Sequence, residues 1–167
     1  MNSRYILLML FILVFGCDAS NTVEVTAKLT DIKIIEGSVF VNLKITNSSD
    51  EIVFIDQMFL SSDEGVLIHN ILRVFKFIEG QKKSFRYKGM YRDYSELHDY
   101  NKTEISIMPS KSITRKINVS SNYLIDKSGR YEISYGGIIA NKEGSKQNVL
   151  SAPLIIEFDC NGLLKTR

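Results

Sequence analysis

Val39-Phe40-Val41-Asn42-Leu43-Lys44-Ile45-Thr46 sets Val39, Val41, Leu43 and Ile45 on one series of positions and Phe40, Asn42, Lys44 and Thr46 on the other. Successive side chains of an extended strand point to opposite faces, so a period of two lays one series on a core and turns the other to water. The same period recurs on both sides of this stretch. Val23, Val25 and Ala27 alternate with Glu24, Thr26 and Lys28, and Ile113, Ile117 and Val119 alternate with Thr114, Lys116 and Asn118. One buried face and one wetted face is the pattern of an antiparallel sheet.

Turn-forming clusters punctuate the alternation at Glu36-Gly37, Asn47-Ser48-Ser49-Asp50, residues 61–65, Glu79-Gly80, Lys127-Ser128-Gly129 and residues 141–144. Short strands at this spacing, with no helical stripe between them, predict an all-β chain folded as an antiparallel β-sandwich, which the resemblance given below makes Ig-like. Residues 149–158 supply a late strand, in which Pro153 marks an edge or a bulge.

Between Lys82 and Lys102 the alternation breaks. Phe85, Tyr87, Tyr91, Tyr94 and Tyr100 are interleaved there with Arg86, Lys88, Arg92, Asp93, Glu96 and Asp99. Such a segment reads as a long excursion between strands, and loops carried on a rigid scaffold are where binding residues concentrate. Tyrosine offers large contact area at low entropic cost, which makes Tyr87, Tyr91, Arg92, Tyr94 and Tyr100 the candidate contact residues. The competing reading has the same tyrosines covering an edge of the sandwich.

The chain opens with one basic residue, Arg4, then an apolar run over residues 5–15, then Val14-Phe15-Gly16-Cys17 across its end. A basic start, a short apolar core and a small residue at the cut are the parts of a secretory signal. A spanning helix needs roughly 17 to 25 apolar residues, so this run is too short for a conventional anchor. The placement of Val14, Gly16 and Cys17 resembles the bacterial lipoprotein signal. That resemblance implies a diacylglycerol on the Cys17 sulfur and a mature chain beginning there. More than one acyl chain makes such attachment durable. The alternative is ordinary cleavage after Ala19, which discards Cys17 and leaves a soluble secreted protein.

The expected organisation is therefore a signal over residues 1–16, a tether over 17–22, a sandwich domain over 23–159 and a tail over 160–167. Loss of the signal removes Arg4 from the 21 basic residues and none of the 19 acidic ones, so the mature net charge stays near +1. That balance gives no basic excess to favour nucleic acid. Cys160 is the other of the two cysteines. No even, regularly spaced set of cysteines points to a disulfide framework, so stability must come from an apolar core. A Cys17–Cys160 bridge requires Cys17 to be retained and unmodified.

Catalytic patterns are missing. A zinc peptidase of the usual type needs two histidines one helical turn apart with a glutamate between them, whereas His69 and His98 are the only two histidines. There is no Gly-x-Ser-x-Gly elbow. Gly136-Gly137 follows an expected strand but is continued by Ile138-Ile139-Ala140, without the lysine and hydroxyl residue of a phosphate-binding loop. The carboxylate pairs Asp93 with Glu96 and Asp56 with Asp63 lack an apolar pocket to shift their pKa values, and read as solvated. Asn47, Asn101 and Asn118 each begin an Asn-x-Ser/Thr triplet; under a bacterial signal they are turn and strand polar residues.

Phe75-Lys76-Phe77-Ile78-Glu79-Gly80-Gln81-Lys82, Tyr87-Lys88-Gly89, residues 105–112, Tyr123 and Gly129-Arg130-Tyr131-Glu132-Ile133-Ser134-Tyr135 resemble the N-terminal Ig-like prodomain of bacterial lysine-specific, deuterolysin-like zinc metallopeptidases. Val41-Asn42-Leu43-Lys44-Ile45-Thr46-Asn47 looks like the strand and Asn-x-Ser/Asp turn of that domain. The likeness spans residues 23–135. It departs at Pro109-Ser110-Lys111-Ser112, which lacks the turn glycine, and at Leu124-Ile125-Asp126. The resemblance implies a domain that covers or chaperones a peptidase. The expected function is a non-catalytic binding module, without cofactor or metal. It is anchored to the bacterial cell envelope through lipid on Cys17 and faces a protein partner that the resemblance makes a peptidase. The alternative is a structural or adhesive envelope component.

Overall fold

The computed structural model describes residues 24–63, 65–67, 69–88 and 104–165. Among them, the strands are β1 (Val25–Ile35), β2 (Ser38–Asn47), β3 (Val53–Asp56), β4 (Leu72–Ile78), β5 (Gln81–Ser84), β6 (Glu104–Ile107), β7 (Ser112–Asn118), β8 (Gly129–Asn141), β9 (Lys146–Leu150) and β10 (Leu154–Phe158). A 3-10 turn covers Gln57–Phe59, and a single helical turn, α1, covers Val119–Asn122. Every ladder between these strands is antiparallel. The chain is the all-β sandwich that the period of two predicts.

One sheet has the order β1-β2-β7. Val39, Val41, Leu43 and Ile45 of β2 are buried against the second sheet, while Phe40, Asn42, Lys44 and Thr46 form the outer series. Between Thr30 and Lys33 the β1–β2 register shifts. Asp31 occupies the left-handed region there, at φ 52°. Its carboxylate accepts from Thr30 Oγ1 at 3.1 Å and Asn42 Nδ2 at 3.2 Å, a local stabilisation of the bulged backbone.

The second sheet is built on β8. Its first half pairs with β10 on one side and β4 on the other, and its second half pairs with β9 and β3. Strand β5 extends the sheet beyond β4, and β6 extends it beyond β3. The expected late strand is present as β9 and β10, interrupted at residues 151–153 around Pro153, which has no amide hydrogen for a ladder. At this break Ser151 pairs in parallel with Ala27, joining the first sheet to the second.

Three local expectations are corrected. Val119 does not continue the alternation of β7: the Asn118 side chain accepts from Ser121 N at 3.1 Å and caps α1, which begins at Val119. Gly136-Gly137 does not follow a strand but lies inside β8. The loss of alternation at Lys82 does not mark the end of sheet, because residues 81–84 form β5, all exposed and with no core face to alternate against.

Candidate binding surface

Among the described residues, four tyrosines are built into the core with their hydroxyls bonded. Tyr123 donates to Leu72 O at 2.6 Å and also meets Asn70 Oδ1. Tyr135 donates to Phe59 O at 3.0 Å, and Tyr87 to Leu67 O at 3.0 Å. Tyr131 donates to Asp126 Oδ1 at 2.5 Å and accepts from the Asp126 amide at 3.3 Å. A tyrosine at the start of a strand, bonded back to the preceding corner, is a recurrent feature of Ig-like sandwiches. The Tyr131 ring meets Phe85 and Phe158 edge-on, with centroids 5.6 and 5.9 Å away.

Asp126 closes this corner. Its carboxylate also receives Lys76 Nζ at 2.5 Å and the Ser128 amide and hydroxyl at 3.0 and 2.8 Å. Burial acts to raise the Asp126 pKa, but the hydrogen bonds from Lys76, Tyr131 and Ser128 outweigh it and hold the carboxyl well below its ordinary range. Tyr131 is pushed above its ordinary value by burial and by the bond to Asp126, and Tyr135 by burial. These groups stabilise a corner and a strand.

Tyr87 is thereby corrected as a contact residue. It is 7 % exposed, its ring lies 5.6 Å from that of Tyr123, and Lys88 N bonds to Asn122 O at 2.8 Å. Tyr87 is an anchor at the near end of the tyrosine-rich segment. Tyr91, Arg92, Tyr94 and Tyr100, together with Cys17, Asp93, Glu96, His98 and Asn101, lie outside the described residues. Asp56 caps the 3-10 turn through a 2.9 Å bond from Met58 N. Asn47 is fully buried and bonds Glu51 O at 2.7 Å and Ile107 O at 2.9 Å. Cys160 is an exposed thiol. Among the described residues no three His, Cys, Asp or Glu side chains converge as a metal site would require.

The outward side chains of the second sheet make a different surface. On β4 these are Arg73, Phe75 and Phe77, and by register they stand beside Lys82 of β5 and Arg130 and Glu132 of β8. Lys82 Nζ lies 5.9 and 5.7 Å from the Phe75 and Phe77 ring centres, and the Arg130 guanidinium lies 4.7 Å from Phe77. Lys82 also pairs with Glu132 at 2.7 Å. Further along β8, Gly136 leaves a gap on this face. The gap opens into a cleft of about 300 Å³ bordered by Phe59, Arg73, Ile138, Asn148 and Leu150. Leu150 is 60 % exposed.

None of this surface was singled out from the sequence. Its members come from four strands, and only the register places Phe77 beside Arg130, or Gly136 beside Leu150. The available local signal was the apolar–cationic alternation of Arg73, Phe75 and Phe77 with Lys82.

No protein-family model matches the chain, and no curated protein matches it. Among solved structures, it is similar to a structural-genomics target determined by X-ray crystallography, at 11 % identity over 87 % of this chain and 90 % of that one, with a TM-score of 0.39. It is also similar to the crystal structure of the putative ApaA protein from Bordetella pertussis, at 9 % identity over 83 % of this chain and 94 % of that one, with a TM-score of 0.39. Likeness at this level identifies no family.

Proposed function

We propose that this chain is a bacterial envelope lipoprotein whose sandwich is a non-catalytic binding module, tethered through acyl chains on Cys17 and engaging a protein partner. The observation that carries the reading is the outer face of the second sheet. Phe75 and Phe77 are flanked there by Lys82 and Arg130, next to a cleft edged by Arg73 and the exposed Leu150. Aromatic residues and arginine are enriched at protein interfaces and supply most of their anchors. The use of the buried hydroxyls and of Asp126 in internal bonds supports a scaffolding role for the rest of the domain. Resemblance to the metallopeptidase prodomains favours a peptidase as the partner.

The test is a photoreactive residue placed at Leu150 in the full chain in cells, with a second probe at Lys142 in the β8–β9 turn as control. A discrete protein adduct from position 150 that is absent from position 142 is the expected result, and its mass spectrum names the partner. An adduct of twice the chain's own mass would instead favour the structural or adhesive reading. No protein adduct from position 150 would overturn the binding-module reading.

A further inference from the structure

We infer that the outer face of the β1-β2-β7 sheet rests on an anionic bilayer, an inference that builds on the tether reading above. In the β1–β2 register Lys28 stands directly opposite Lys44, and Lys33 opposite Phe40. Lys116 of β7 stands opposite Asn42 and places its ammonium 4.0 Å from the centre of the Phe40 ring. Like charges directly opposite one another weaken a sheet, and Lys44 faces only Thr114 on its other side. Among the described residues none of these four lysines is paired with a carboxylate. Asp31 is the one acid in the three strands, and it is bonded by Thr30 and Asn42. Glu24 stands just before β1. Among the described residues the strands of this face thus set four lysines against the one carboxylate of Asp31, whose neutral partners leave its charge in place, and the platform is net cationic.

The tether selects the occupant. Residues 18–24 span at most about 25 Å when fully extended, so an acylated Cys17 keeps the entry of β1 near the headgroups. Strand β1 belongs to this sheet, so its outer face is the broad surface closest in the chain to the anchor. An anionic surface attracts lysines within a Debye length of about 8 Å. Each lysine so placed strengthens partitioning roughly fivefold. The opposite face, where Phe75, Phe77 and Leu150 share the surface with Glu132 and Glu157, is then held away from the bilayer, towards a partner.

The experiment is amine-reactive footprinting, read by mass spectrometry, of the full acylated chain in phosphatidylglycerol-containing vesicles. Labelling of Lys28, Lys33, Lys44 and Lys116 is expected to fall about fivefold relative to Lys82 and Lys83 of the second sheet. The protection should disappear at high salt and in phosphatidylcholine vesicles. Equal labelling of both faces, or protection that persists in phosphatidylcholine, overturns the inference. The same spectra report the acyl mass on Cys17. If that mass is absent the lipoprotein reading falls, and the face is then judged by sedimentation of the unacylated chain with phosphatidylglycerol vesicles. Binding that weakens tenfold or more in a K28Q/K44Q variant supports the bilayer face, and binding that is absent or unchanged in the variant overturns it.

Discussion

The Tyr135 side chain lies over Gly137, two residues along the same face of β8, so closely that a β-carbon at residue 137 would sit 2.0 Å from the Tyr135 hydroxyl oxygen. The missing side chain is the space that the ring occupies. From there the hydroxyl reaches Phe59 O at 3.0 Å and ties the 3-10 turn to the strand that borders the cleft. An aromatic ring laid across a strand glycine restores the apolar cover the glycine lacks.

Gly137→Ala must displace Tyr135 and break its bond to Phe59. A loss of about 3 kcal/mol in urea unfolding is expected, from combined overpacking and a lost buried hydrogen bond. Gly136→Ala points to the other face, where the nearest atom is the flexible Cδ2 of Leu150 at 3.3 Å. Its cost should stay below about 1 kcal/mol. Equal costs for the two substitutions would contradict the placement of Tyr135.

Acid stability should depend on Asp126. Its carboxyl is held below the ordinary range near 3.9, so its contribution is complete above about pH 4 and is lost as the pH falls towards the folded-state value. In Asp126→Asn the urea midpoint should drop modestly at neutral pH, since the site is 54 % exposed and screened. The gap from the parent chain should then close on acidification. A gap that is constant with pH would rule out this linkage.

Alkaline stability should follow the buried phenols. Burial raises Tyr135, and burial together with the Asp126 bond raises Tyr131. The unfolded phenols ionise near pH 10, so stability is complete below that pH and falls as pH rises towards the folded-state values. Tyr135→Phe should lose about 1 kcal/mol at neutral pH, for the bond to Phe59, and should show a shallower alkaline decline. Ultraviolet titration should correspondingly lose a phenol that ionises above the ordinary value when Tyr135 is replaced by phenylalanine.

Ser110 takes the place of a turn glycine. It sits at φ 58° directly after Pro109, in a turn closed by Lys111 N to Met108 O at 3.1 Å. Proline at the second position and a positive φ at the third are the requirements of a type II turn. Ser110→Gly should remove the left-handed strain and raise stability by up to about 1 kcal/mol, visible as a higher melting temperature. A lower one would show that the serine side chain is needed there.

Where one face of a strand is buried and the other wet, the fold was legible. Val39 to Ile45 alternate because β2 is central in its sheet, and the turns at Glu36-Gly37 and Glu79-Gly80 each put two residues at positive φ. Strands without that contrast were hidden: β5 is wholly exposed, and β3 and β6 span four residues each, too few to establish a period. The continuity of β8 through Gly136-Gly137 was illegible because paired glycines read as a turn, whereas the β9 ladder sets Gly136 opposite Leu150 and Gly137 opposite Val149. The wetted series of the first sheet was legible, but the neighbours within both outer faces were hidden. Lys28 and Lys44, or Phe77 and Arg130, are distant in sequence and become neighbours only through pairing register.

The most direct measurement is the intact mass and N-terminal peptide of the mature chain extracted from membranes. The expected result is an N-terminus at Cys17 carrying a diacylglycerol thioether. An unmodified N-terminus at Ser20, with the chain recovered in the soluble fraction, would contradict the tethered binding module at its foundation.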